Sequence, residues 1–198
     1  MYKKNVCIKF LILSLFTSTV ALGQVKNYAG NIVDIFDNPM FEVLITNDRT
    51  QETVVSSCKG KFTIRANKGD YLTFTKENYL LHRQPIKNGK KMAVLLNFDT
   101  QLIQSKIYND YVSLHDYDAP LDDVFCQTLF IVNGNPFNPN NGTSRFLDLD
   151  PKHISKVNVL KGQIATEMFG NAARNGVVFI QTKCTYLLRQ KFPGVYEE

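Results

Sequence analysis

Between Asn27 and Phe98 the apolar positions come in short runs separated by turn residues, which is the rhythm of small β-strands rather than of helices. Tyr28 to Phe36 reads as a strand, Asp37-Asn38-Pro39 as a turn, Phe41 to Thr46 as a second strand and Thr53 to Ser56 as a third. Lys59-Gly60-Lys61 turns the chain into Phe62 to Ala66, where Phe62, Ile64 and Ala66 alternate with polar residues and so share one face. Asn67-Lys68-Gly69-Asp70 leads into Tyr71 to Thr75, and Phe74 joins Phe62 in the predicted core. Asn88-Gly89 lies between Gln84 to Lys87 and Met92 to Phe98; it reads as a hairpin turn, because both residues accept the positive φ such turns require. Short strands at this spacing predict a small antiparallel β-sandwich.

Asp99 to Val124 is polar. Gln101 to Leu114 fits a poorly amphipathic helix or an extended connector, and a linker is the preferred reading. Apolar periodicity returns with Leu129 to Val132, a buried-strand pattern closed by Asn133-Gly134-Asn135-Pro136. A loop rich in Gly, Asn and Pro follows. Asp150-Pro151 begins a short turn, with Asp as a cap and Pro at the first helical position. Ile154 to Leu160 alternates as a strand, with Val157 and Val159 set against Lys156, Asn158 and Lys161. Gln163 to Phe169 reads as a brief helix stopped by Gly170, and Asn175-Gly176 as a turn into the strand Val177 to Thr182.

Several of these segments also carry resemblances. Gly30 with Val33-Asp34, Asn38-Pro39-Met40-Phe41 with Val43 and Ile45, Gly60-Lys61-Phe62-Thr63-Ile64, Gly69-Asp70-Tyr71-Leu72-Thr73-Phe74 and Asn78-Tyr79 together resemble the carboxypeptidase regulatory-like domain, a transthyretin-like β-sandwich. Asn38 and Glu42 stand where that family usually has glycines. Leu129 to Pro136, Leu149 to Gly162, Ala165-Thr166, Phe169-Gly170 and Asn175 to Lys183 resemble the plug domain of TonB-dependent outer-membrane receptors, especially the SusC-like class. Asn133 stands where that family commonly has Asp. The expected fold class is therefore mainly β with some α: an N-terminal antiparallel β-sandwich, transthyretin-like by resemblance, plus a small α/β plug-like domain. The expected layout is a signal peptide at 1–23, the sandwich at 24–98, a linker at 99–124, the plug-like domain at 125–184 and a tail at 185–198.

The signal peptide rests on its own pattern. Lys3, Lys4 and Lys9 precede an apolar stretch from Phe10 to Leu22, about 13 residues and short of the roughly 20 that a membrane span needs. Ala21 and Gly23 supply small side chains before a cut ahead of Gln24. Cys7 precedes the apolar stretch, so a lipoprotein anchor is not expected. Cleavage lowers the formal charge from +5 to +2, with 20 basic and 18 acidic residues left, which removes the electrostatic footprint of a nucleic-acid binder. The periplasm or the periplasmic face of the outer membrane is the expected location, with no transmembrane segment in the mature chain.

The candidate chemistry is sparse. Cys58, Cys126 and Cys184 remain after cleavage, allow at most one internal disulfide, and read as small strand residues rather than as a pair. Their spacing and the scattered His82, His115 and His153 give no zinc pattern. His115-Asp116-Tyr117-Asp118 with Asp122-Asp123 lacks the Gly turn of a calcium loop and reads as solvated. The same holds for Lys87, Lys90 and Lys91 at the Asn88-Gly89 turn. No serine elbow, zinc-protease helix or phosphate loop occurs, so no enzyme activity and no cofactor are expected. The candidate partner-binding surface is the loop Asn135, Pro136, Phe137, Asn138, Pro139, Asn140, Asn141, Gly142, Thr143 and Ser144, because long loops between strands are common binding sites.

The plug resemblance implies a barrel to surround it, for which the residues after Lys183 are too few; transport by this chain alone is not expected. The expected function is a non-catalytic exported module that binds a protein partner in the envelope. The alternative is a truncated remnant of a SusC-like receptor with no independent activity.

Overall fold

The computed structural model describes residues 25–87, 91–114, 128–137 and 149–191. The expected signal peptide, the Asn88-Gly89 turn, Cys126, the acidic group from His115 to Asp123 and the loop residues Asn138 to Ser144 lie outside the described residues. Those described are mainly β with some α, comprising eleven strands in three sheets and three α-helices. None of these helices is long and apolar enough to cross a membrane.

The front half holds seven strands: β1 (Lys26–Val33), β2 (Leu44–Asn47), β3 (Thr53–Val55), β4 (Lys61–Ala66), β5 (Tyr71–Thr75), β6 (His82–Pro85) and β7 (Met92–Leu95). They form one sheet of order β4-β1-β7 and another of order β3-β2-β5-β6. Strict alternation in β4 buries Phe62, Ile64 and Ala66 and exposes Lys61, Thr63 and Arg65, as the sequence predicts. In β5, Leu72 and Phe74 turn inward. Phe62 meets Phe74 edge-on with ring centroids 5.6 Å apart, which joins the two sheets in one core with Ile32, Ile45 and Val94.

Two expectations change here. The strands on either side of Asn88-Gly89 do not pair with each other, because β6 pairs with β5 in one sheet and β7 pairs with β1 in the other. β6 and β7 thus belong to different sheets. β7 also runs parallel to β1, so the front half is not wholly antiparallel. A turn-forming dipeptide specifies a local reversal and carries no information about which sheet receives the next strand.

Asp99 to Leu114 also differs from the linker expectation. Helix α1 (Thr100–Leu114) is capped by Asp99, whose carboxylate accepts from the Leu102 amide at 3.0 Å. Its Ile103 is fully buried. Ile107, one turn on, packs half-buried against the same core, and these two anchors lay the helix on the body of the protein.

The rear half has a mixed sheet of order β10-β11-β8-β9, built from β8 (Leu129–Val132), β9 (Asn135–Phe137), β10 (Ile154–Leu160) and β11 (Val177–Thr182). Asn133 and Gly134 have φ values of 51° and 85°, which makes them the tight reversal between β8 and β9. The opening of the expected loop, Asn135 to Phe137, is therefore strand. A 3₁₀ turn at Pro151–His153 carries the expected Asp150 cap, whose carboxylate accepts from the Lys152 amide at 2.9 Å. Helix α2 (Gln163–Phe169) buries Ala165 and Phe169 and stops at Gly170, whose φ of 62° and ψ of −152° suit only glycine. The expected tail begins with helix α3 (Cys184–Lys191).

Candidate functional site

The two halves meet along an aromatic seam. Phe179 of β11 packs against Phe36 at 4.5 Å, Phe98 at 5.4 Å and Phe169 at 5.9 Å between ring centroids, and Phe98 stacks on Tyr79 at 4.6 Å. Phe36, Tyr79 and Phe98 belong to the front half; Phe169 and Phe179 belong to the rear. The buried residues of both halves form one continuous cluster. A disulfide joins Cys58, just before β4, to Cys184 at the start of α3, with 5.3 Å between their Cα atoms. This corrects the expectation of unpaired cysteines. The two lie 126 residues apart in the chain, so nothing in the local sequence around either one points to the other.

Polar contacts fix the seam at its rim. Asn78, with φ 66°, donates through Nδ2 to the Gly134 carbonyl at 3.2 Å and to Asn135 Oδ1 at 2.9 Å. Lys106 of α1 donates to Asn78 Oδ1 at 2.7 Å and also pairs with Glu77. Gly134 lies against the Tyr79 ring so closely that a Cβ there would stand 2.5 Å from the phenol oxygen. The Asn-Gly pair thus serves twice: it reverses the chain between β8 and β9, and it lets the front half approach.

Beside these contacts lies a cleft of about 150 Å³ whose walls include Asp34, Glu42, Lys76, Tyr79, Asn133 and Asn135. Burial lowers the Lys76 ammonium below its ordinary value of 10.5, while the carboxylates of Glu42 and Glu77 oppose that shift. Burial raises the Tyr79 phenol far above its ordinary value of 10.0, helped by the charge of Asp34, so it remains a hydrogen-bond donor. Asp34 is held by the amides of Phe36 and Asn38 at 2.8 and 2.9 Å and by the Asn38 side chain at 2.9 Å. Asn133 is locked to Thr182, accepting from its amide at 2.9 Å and donating to its hydroxyl at 3.0 Å. The walls therefore present positioned polar groups that can orient a bound peptide or small polar group. Among the described residues no set of three His, Cys, Asp or Glu side chains could hold a metal ion.

Of the predicted loop, the structure places Asn135 at the cleft wall and Pro136 and Phe137 in β9, where Phe137 is opposite Phe130. Asn138 to Ser144 lie outside the described residues. Sequence reasoning did not single out Lys76 or the Tyr79 hydroxyl as site groups. The available signal was Asn78-Tyr79, where an Asn able to adopt positive φ precedes a bulky aromatic. No protein-family model and no curated protein matches the chain.

Proposed function

We propose that this chain is a non-catalytic, exported interaction module that binds a protein partner of the outer-membrane or periplasmic envelope through its rear half. The observation that carries the reading is the double anchoring of the loop's first residue. Asn135 belongs to the rear sheet through its pairing with Val132, and its side chain accepts from Asn78 of the front half. β9, which leads into the predicted loop, is thus held by both halves, and loops positioned by a rigid scaffold are where binding function sits.

Other features support parts of the reading. A disulfide joining the two halves suits an oxidising compartment outside the cytoplasm. Glu42 has φ 57° at a position where the carboxypeptidase regulatory-like resemblance usually has glycine, and Gly60 has φ 69° in the matching Gly-Lys-Phe segment. The strand, helix and strand of the plug-like resemblance occupy β10, α2 and β11, with Asp150-Pro151 ahead of them as a capped turn.

The test replaces Asn138 to Ser144 with Gly/Ser residues and leaves β9 intact. Crosslinking in the native cells followed by envelope fractionation should recover a partner with the unaltered protein and much less with the variant, while far-ultraviolet circular dichroism stays unchanged. Recovery of no partner by the unaltered protein would sink the binding role. Equal recovery by both would move the contact to another surface.

A further inference from the structure

We propose that the outer edge of β10 accepts an extended acidic segment of a partner protein as an added strand. β10 is an edge strand of seven residues, paired with β11 from Ile154↔Thr182 to Leu160↔Val177 and unpaired on its other side among the described residues. In an antiparallel pair alternate residues point their N–H and C=O groups away from the partner, so this edge presents a ladder ready for another strand.

Edges are usually protected by proline, by bulges, by short length or by outward lysines. β10 contains no proline, and its only irregularity lies at the beginning, between Ile154 and Lys156. Lys156 is exposed but tied, because its Nζ donates to the Phe36 carbonyl in the front half. The apolar residues the strand leaves outward are Val157 and Val159, 50% and 51% exposed. These valines sit opposite Ile180 and Val178 in the register with β11, so an incoming strand would extend two apolar cross-strand rows by one position each.

The charge around this edge favours an acidic occupant over a second copy of the chain. β10 and β11 contain no Asp or Glu; Lys161 follows the first and Lys183 the second. Asp150, ahead of β10, is paired with Lys152 at 2.8 Å, and Glu167, in the helix after it, accepts from Gln163 at 2.6 Å. A second β10 would bring lysines and no acids. A segment with β-branched residues at alternate positions and Asp or Glu between them satisfies both the valine rows and the field. The inference rests on the proposed binding role but places this contact at the sheet edge opposite β9.

The oxidised full chain would be titrated into labelled synthetic peptides as long as β10, one alternating Glu and Val, the other Lys and Val. The acidic peptide should bind, the basic one should not, and bound peptide should slow amide exchange at Val157 to Leu160. Changing Val157→Thr and Val159→Thr, which keeps β-branched shape at exposed positions, should weaken binding about fivefold. Equal affinity for both peptides, unchanged exchange, or native-like binding by the variant would overturn the proposal. So would sedimentation showing a dimer that the variant disrupts, since a second copy would then own the edge. In cells, partner recovery that survives the valine changes but is lost on loop replacement removes this inference and leaves the binding role. The peptide titration decides the edge even if the unaltered protein recovers no partner.

Discussion

The front and rear halves both build their cores on β-sheet, yet they distribute apolar residues differently. In the front half, β4 alternates buried and exposed positions without exception and its outward face is polar, although Leu44, Val55, Tyr71 and Leu95 of neighbouring strands are exposed. In the rear half both faces of the sheet are apolar: Leu129, Ile131, Val177 and Phe179 are buried, while Val132 and Val178 on the other face are half-buried and Val157 and Val159 half-exposed. The front half also carries its own polar hub. Asp70 accepts from Arg49 Nε at 2.7 Å, from Arg49 Nη2 and Asn47 Nδ2 at 3.0 Å, and from the Asn67 amide at 2.9 Å. Alternation against water makes a self-sufficient layer, whereas a sheet apolar on both faces depends on neighbours.

The strongest test of this contrast is the disulfide. Changing Cys58→Ser together with Cys184→Ser should cost about 5 kcal/mol in urea unfolding, because a cross-link closing so long a loop removes much freedom from the unfolded chain. The variant should still unfold in one transition if the aromatic seam makes the halves a single cooperative unit. Two separated transitions would show the halves to be thermodynamically independent.

A smaller loss is expected at the seam. Phe179→Ala should destabilise by about 4 kcal/mol, since it empties a buried site touched by rings from both halves. Native-state hydrogen exchange should register the loss in β7 as well as in β8. A change confined to the rear sheet would break the picture of a shared core.

The smallest effect should come from the front hub. Asp70→Asn should cost about 2 kcal/mol at neutral pH through the lost charged hydrogen bonds. The Arg49 guanidinium, followed by the Asn67 amide and Asn47 side chain, holds the Asp70 carboxyl well below its ordinary value of 3.8. A depressed folded-state pKa means the stabilisation is complete above that ordinary value and declines as the pH falls towards the folded one. The native protein and Asp70→Asn should therefore converge in stability under acid. A gap that stays constant through the acid range would assign the effect to shape rather than charge.

Elements whose cause is local were legible in the sequence. Tyr71 to Thr75, Leu129 to Val132, Ile154 to Leu160, Gln163 to Phe169 and Val177 to Thr182 have the predicted bounds, because periodicity and flanking turn residues act within a few positions. What escaped depends on distant partners. Asn133-Gly134 reverses a paired hairpin, while the strands before and after the same dipeptide at 88–89 pair in different sheets. Val157 and Val159 alternate like core residues, but β10 is an edge strand and leaves them half-exposed. Of the candidate site, Asn135 was visible as a loop residue; its tie to Asn78, 57 positions away, was not.

The parallel partnership of β1 and β7 has a consequence for the order in which the chain acquires its structure. β1 lies at the centre of its sheet, with β4 on one side and β7 on the other. Its Gly30 pairs with Phe62 and with Met92, so a chain emerging amino-terminus first holds this central strand idle until much later segments arrive. Such high contact order slows folding and exposes an unpaired apolar strand meanwhile. Under the export proposed above, that delay would keep the front sheet from closing before its last strand has crossed the membrane.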